Sequence, residues 1–259
     1  MTTTSQRAQT LSALHAAPEI LRVVNVWDVV SAKAIIELPE TRAIATAGHS
    51  IAATFGYADG ENIPLDLVLD MVGRIVEVAG DLPVTADLDA GFGDPGETVR
   101  RAIGVGAVGA NVEDRLKPLA ESVAAVEAIV RAGEAEGVPF ALNARTDAFV
   151  RGGDRPVADS IADAIERGRA YLGAGADVVF VPGILDADVT RQLVEGIGER
   201  KVSVIGLPGA LTAAEYEALG VARISYGPMT QRVALTALQD VAKELYADGA
   251  IPASTRALN

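Results

Sequence analysis

Eight times along the chain a short apolar run is followed by a stretch with helical periodicity, and no linker interrupts the alternation. The runs are Val23–Trp27, Ala43–Gly48, Val84–Asp89, Gly109–Glu113, Phe140–Arg145, Val178–Val181, Val202–Leu207 and Arg223–Tyr226. Most are nearly all apolar, the pattern of strands covered on both faces. Between them, Leu65–Ala79 sets Leu65, Val68, Leu69, Val72, Ile75 and Val76 on one face of a helix. Leu119–Ala135, Val157–Leu172 and Met229–Leu245 have similar spacing. Asp186 and Thr212 stand where N-caps belong, and Pro95, Pro118 and Pro156 stand near helix starts. Eight strictly alternating units predict a closed parallel (β/α)8 barrel of the TIM type, and an open doubly wound sheet is the alternative.

The length suits that fold, since 259 residues is close to the roughly 250 of one such barrel. One domain is expected over residues 1–259: an N-terminal extension or helix over 1–20, the barrel over 21–247 and a tail over 248–259. Hydrophobic residues make up 49% and aromatics only 4%, so the core must be aliphatic. The net charge of −13 repels phosphate backbones and disfavours nucleic acid as a partner. Met1–Ala17 lacks a basic segment followed by an apolar run, and no stretch approaches the ~20 apolar residues of a membrane helix. No membrane partner and a cytoplasmic location are expected. With no cysteine and two histidines, thiolate and His-rich metal sites are excluded.

A barrel of this type carries its active site at the C-terminal ends of its strands, so polar residues there are informative. Asp87 and Asp89 are two apart and, on a strand, point the same way. Glu113 ends the next run. Three carboxylates converging inside an apolar barrel repel unless a cation joins them, and oxygen-only ligands suit Mg2+ or Mn2+. Arg145, one run further on, is placed to meet a substrate carboxylate with two hydrogen bonds. The bland alternative is an ion-pair network of Arg145 with Glu113 or Asp89.

Other residues carry weaker signals. His49 follows the second run and is a candidate proton carrier or a structural hydrogen-bonded residue. Lys117 lies on a loop, where a solvated charge is the ordinary reading. Trp27 walls the pocket or packs in the core. Gly206, Gly209 and Gly227 lie where many barrels bind phosphate, but turns explain them equally well. Gly104, Gly106 and Gly109 fit a dinucleotide fingerprint, yet they follow a helix and precede a strand, the reverse of what phosphate binding needs, and so serve packing and capping.

Asn25–Asp28, Ser31–Ala32, Ala43–Thr46, Ala86–Gly93 (with its Asp-x-Asp-x-Gly-x-Gly pattern), Val112–Asp114 and Asn143–Phe149 (with Ala-Arg-Thr-Asp-Ala) resemble the isocitrate lyase/phosphoenolpyruvate mutase superfamily. Order and spacing match from about Val23 to Leu245. The resemblance implies a (β/α)8 barrel that is a homo-oligomer, a dimer or tetramer, often with an exchanged terminal helix. It implies Mg2+ on Asp87, with Asp59, Asp89 and Glu113 around it, partly through water. It also implies small 2-oxo or 2-hydroxy carboxylate substrates, and a carbon–carbon or phosphorus–carbon bond made or broken beside an enolate. Arg145 and the metal would stabilise that enolate, with Glu113 and His49 as further catalytic candidates. The backbone at Ala47 and Gly48 would face the substrate, with Trp27 nearby.

The chain departs from the family pattern in three places. The gating loop expected after Glu113, which carries a catalytic cysteine or a Lys/Asn pair, is reduced to Arg115–Pro118 ahead of the next helix. Ala47 stands where serine is frequent, and Pro182 where some members carry histidine. Isocitrate lyase chemistry of the usual kind is therefore not expected. Three functions remain open: a Mg2+-dependent lyase or decarboxylase, phosphorus–carbon chemistry on phosphonopyruvate-like compounds, and a catalytically silent 2-oxo-acid-binding barrel.

Overall fold

The computed structural model describes residues 2–247 and 249–258; Met1, Asp248 and Asn259, at the edges of the expected extension and tail, lie outside the described residues. The strands are β1 (Leu21–Val23), β2 (Asn25–Val26), β3 (Ile44–Thr46), β4 (Val84–Asp87), β5 (Gly109–Glu113), β6 (Ala141–Arg145), β7 (Val178–Phe180), β8 (Val202–Ile205) and β9 (Arg223–Ser225). All pairs are parallel, in the order β1-β9-β8-β7-β6-β5-β4-β3-β2. Only Val24 separates β1 from β2, so the first expected strand is a broken one that pairs with β9 on one side and β3 on the other. The sheet is thereby an α/β barrel of the TIM type, and the open-sheet alternative falls.

The helices are α1 (Thr4–Ala16), α2 (Val29–Ile36), α3 (Gly48–Thr54), α4 (Leu65–Ala79), α5 (Pro95–Gly104), α6 (Leu119–Ala135), α7 (Val157–Gly173), α8 (Ala187–Ile197), α9 (Ala213–Ala218) and α10 (Met229–Ala247). α4 buries Val68, Leu69, Val72, Ile75 and Val76, the stripe its spacing dictates. Each such side chain contributes about 1.5–3 kcal/mol, so a single Val72→Asp would leave a charge in the helix–sheet layer. Asp186 and Thr212 cap α8 and α9, accepting from Val189 N and Glu215 N, and Pro95 opens α5.

Strand alternation decides what faces the interior. The Asn143 Nδ2 group donates to Asn111 Oδ1 at 2.7 Å on the neighbouring strand and to Ser203 Oγ at 3.2 Å two strands away, a contact possible only across the barrel. Glu113 and Arg145 lie two residues further on and so point inward as well. Asp87 is in register with Asn111.

α1 closes the opposite end. Its Leu11, Leu14 and His15 are buried. A side chain at Gly109 would meet the Ala141 carbonyl oxygen at 2.6 Å and Leu11 at 2.7 Å, so this glycine serves packing, as expected. Ser12 donates to Asp177 at 2.6 Å, and His15 Nε2 lies 3.5 Å from Nη1 of Arg223. Arg223 is fully buried; burial brings its pKa down to about 10, and among the described residues its Nε and Nη2 have no partner. Among the described residues no helix is long and apolar enough to cross a membrane.

Candidate active site

β4 ends at Asp87, two residues earlier than the sequence pattern predicts. Asp89 therefore reaches the site from a turn, with φ 47°, and not by strand alternation. The turn is fixed by backbone bonds from Leu88 N to Asn111 O (3.1 Å) and from Glu113 N to Asp89 O (2.7 Å). Gly91, with φ 89°, admits no side chain, because a Cβ would sit 2.7 Å from Pro95. The glycine of the Asp-x-Asp-x-Gly-x-Gly pattern thus lets α5 start directly against the site.

Gly48 opens α3, and its N–H donates to Asp87 Oδ2 at 2.9 Å. The run expected to end at Gly48 stops at Thr46, and in this structure the Gly48 amide serves Asp87 rather than facing open space. Ala47 is the N-cap residue of α3. The Asp59 side chain, exposed, sits 3.4 Å from His49 Nδ1 at the mouth. Trp27 packs against the core and lines a cleft of about 690 Å³ between α2 and α10; none of Asp87, Asp89, Glu113 or Arg145 lines that cleft.

Arg145 is held by two carboxylates. Its Nη1 lies 2.9 Å from Glu113 Oε2 and its Nε donates to Asp147 Oδ1 at 2.7 Å, while its guanidinium carbon is 6.0 Å from the Phe180 ring centroid. Asp147 is fully buried and also accepts from Arg151 Nε at 2.8 Å. The ion pair considered as the bland alternative therefore exists. Among the described residues, no three His, Asp or Glu side chains stand as a group that could hold one ion directly. Glu113 is paired with guanidiniums on both of its oxygens.

The electrostatic stress of that arrangement is visible. Burial raises the Asp87 carboxyl above its ordinary range, against the Gly48 N–H and Arg145. Asp89 is pushed up to about 8 by burial first, then by Asp87, Asp59, Glu113 and Glu61. Burial likewise raises Glu113.

Glu61 left no signal in the sequence pattern, and the contacts made by Asp114 and Arg115 were not legible in it. Glu61 accepts from Ala90 N at 3.2 Å and Phe92 N at 2.6 Å through Oε1. Arg115 lies 3.0 Å from Glu61 Oε2 and 3.1 Å from Glu113 Oε1. The shortened loop, residues 114–118, is anchored by Asp114, which accepts from Leu116 N, Asp147 N, Arg167 Nη1 and Tyr171 Oη. Lys117, exposed, lines a cavity of about 190 Å³ beside α6. Among the described residues six non-glycines have positive φ, and five of them (Glu61, Asp89, Phe92, Arg115 and Leu116) lie around this mouth. Each costs on the order of 1–3 kcal/mol, and such strain persists where surrounding contacts over-determine it.

A family model described as phosphoenolpyruvate phosphomutase matches residues 11–246. The chain belongs to this family. Within the wider isocitrate lyase/phosphoenolpyruvate mutase superfamily, a provisionally assigned 2-methylisocitrate lyase of Corynebacterium glutamicum is 29% identical over 92% of this chain and 81% of its own. An oxaloacetate decarboxylase of Rhodopseudomonas palustris is 28% identical over 95% of this chain and 86% of its own. Among solved structures, a provisionally assigned phosphonomutase of Burkholderia cenocepacia superposes with a TM-score of 0.86 and 34% identity, covering 93% of this chain and 99% of that one. The superfamily resemblance drawn from the strand-end motifs is thus borne out.

Proposed function

We propose that this chain is a Mg2+-dependent carbon–carbon lyase or decarboxylase acting on a small 2-oxo or 2-hydroxy carboxylate through an enolate. The observation that carries the proposal is Arg145, a guanidinium clamped between Glu113 and Asp147 beside the inward carboxylates Asp87 and Asp89. The lyase and decarboxylase names of the relatives agree with it.

The donor set fits a hard divalent cation. Asp87 and Asp89, with Glu113 and Asp59 around them, offer oxygens only. Mn2+ suits the same donors. Bound there, the metal supplies the positive charge that stabilises an enolate oxygen. Gly48 N–H orients Asp87. Arg145, immobilised by its two carboxylates, presents its remaining Nη2 donor to the substrate carboxylate at little entropic cost. When the carbon–carbon bond next to the enolate-forming carbon breaks, its electron pair is delocalised into the enolate, whose charge Arg145 faces, and the other fragment leaves as carbon dioxide or, where it bears a hydroxyl that gives up its proton, as a carbonyl compound. The resulting carbanion then takes a proton. His49, whose Nδ1 lies 3.4 Å from Asp59 at the mouth, is the candidate proton carrier for that step.

Phosphorus–carbon chemistry is the second reading. Arg115 and Arg151 join Arg145 around Glu113, at 3.1 and 4.0 Å, and supply the cations a phosphoryl group needs.

The assembly is proposed to be a homo-oligomer built on α10. Gln231 is its only buried residue, while Leu235, Leu238 and Tyr246 form an exposed stripe. A second copy of the chain is the occupant that would cover it.

Thermal melting with Mg2+ and oxalate, a planar mimic of the pyruvate enolate, tests the site. Ligand at 100 times its Kd adds about 2.7 kcal/mol, a rise of roughly 5–10 °C at this size. The rise should need both the metal and Asp87, and vanish in Asp87→Ala. An unchanged response in Asp87→Ala would displace the metal assignment. Turnover of a 2-oxo or 2-hydroxy acid would eliminate the silent-barrel reading, whereas binding without turnover across a broad panel would favour it.

A further inference from the structure

We infer that Arg115 is a specificity-determining residue that receives the second acidic group of the substrate, and that Glu61 masks it until substrate arrives. The inference rests on the proposed function, which sets the first carboxylate on Arg145.

Three observations converge on it. First, Arg115 and Arg145 sit on opposite oxygens of one carboxylate: Arg115 Nε is 3.1 Å from Glu113 Oε1, and Arg145 Nη1 is 2.9 Å from Glu113 Oε2. Two cations are thus held a short, fixed distance apart at the mouth, the spacing that a small molecule with acidic groups at both ends can bridge. Second, Arg115 is placed there by force. Arg115 (φ 49°) and Leu116 (φ 54°) are consecutive left-handed non-glycine residues, a conformation L-residues resist. Asp114 holds the turn, accepting Leu116 N at 2.9 Å while its other oxygen is locked by Tyr171 and Arg167. The structure over-determines an unfavourable backbone in order to aim one side chain. Third, the resting partner is replaceable. Arg115 is about a quarter exposed, and its second contact is Glu61 at 3.0 Å, on a residue that also has positive φ. The guanidinium thus stays within reach of solvent at the mouth, where an incoming anion can compete for it.

The shortened loop brings no gating segment of its own. Arg115 closes the same side of the mouth from a rigid turn, and Glu61 ties it to the backbone of Ala90 and Phe92. An incoming dianion competes with the Glu61 carboxylate for the same guanidinium.

The test uses the full chain with Mg2+ and ligands that differ only at one end: 2-hydroxybutyrate, malate and 2-hydroxy-3-phosphonopropionate carry a methyl, a carboxylate and a phosphonate on one framework. Binding is read by calorimetry, with oxalate as the reference for the metal end. The native chain should prefer one or both dianions over 2-hydroxybutyrate by about 10- to 100-fold, the worth of a charge-assisted contact. Arg115→Gln should erase most of that preference and leave oxalate affinity within about twofold. Glu61→Gln keeps an acceptor for Ala90 and Phe92 but removes the competing charge, so it should tighten the preferred dianion. Whichever dianion responds identifies the acidic group Arg115 takes. A preference that persists in Arg115→Gln, or dianion binding weakened by Glu61→Gln, would overturn the inference while leaving the lyase reading standing. No Mg2+-dependent oxalate binding in the native chain would overturn both.

Discussion

Asp114→Ala is the substitution from which the structure predicts the largest loss without touching the proposed metal residues. The Asp114 carboxylate is buried and accepts four hydrogen bonds: from Tyr171 Oη at 2.6 Å, Leu116 N at 2.9 Å, Asp147 N at 3.0 Å and Arg167 Nη1 at 3.2 Å. Removing one member of a buried ion pair costs about 3–5 kcal/mol, because the partner charge stays behind in a poor solvent. Arg167 retains Asp163 at 2.7 Å and the Lys117 carbonyl at 3.0 Å, which limits that part of the loss. The Tyr171 hydroxyl and the Asp147 amide, both in buried residues, lose the acceptor named here, and each orphaned group adds about 1–3 kcal/mol. Relaxation keeps the sum near about 3–5 kcal/mol. At roughly 2–4 °C for each kcal/mol in a chain of this size, the melting temperature should fall by about 6–20 °C. Urea unfolding followed by far-ultraviolet circular dichroism measures it, with an unchanged m-value confirming that the native state is what changed. Tyr171→Phe, which deletes one bond to a charged acceptor, should cost only about 1.5–3 kcal/mol. A loss below about 1 kcal/mol for Asp114→Ala, or an equal loss for both variants, would refute the view that Asp114 organises the turn after β5.

Two further outcomes follow from features away from the mouth. Burial, with Arg223 and Lys201 adding to it, lowers the His15 pKa well below 6.5. The unfolded chain therefore binds a proton near pH 6.5 that the folded chain refuses, and stability should fall as pH drops below 6.5, by at most about 1.4 kcal/mol per pH unit from this group. His15→Gln should show a shallower slope of urea midpoint between pH 6.5 and 5, and equal slopes would contradict the assignment. For the assembly, light scattering should give a multiple of the 26.7 kDa chain mass, and Leu238→Glu on α10 should reduce it. A monomeric native chain would remove α10 as an interface.

Much of this barrel is written locally. The Gly109–Glu113 run forms a strand over those same residues because Gly109, Ala110 and Asn111 leave room for neighbours on both sides. The caps at Asp186 and Thr212 are equally local, since a side chain there satisfies an amide three residues on. What the pattern could not give is set by contacts distant in sequence. The break at Val24 separates residues that pair with β9 from residues that pair with β3. Asp89 looks like a strand residue by spacing, yet the chain has already turned. Arg115 and Glu61 are fifty-four positions apart, and nothing in either neighbourhood announces the other. The site residues Asp87, Glu113 and Arg145 were legible because strand ends on adjacent strands must meet, but their pairing with Arg115, Asp147 and Arg151 was not.

The plug formed by α1 bears on how the molecule is made. It precedes every strand in the sequence, but two groups that receive it come much later: Asp177 for Ser12, and Arg223 on β9 for His15. Leu11 meets Gly109 at the start of β5, whereas the polar contacts of Ser12 and His15 wait for these later elements. Contacts of such long sequence separation form late and slow folding, because the chain must be ordered before they are gained. The seating of α1 is thus completed only once β9 is in place, although its contacts with β5 and β6 can form before then.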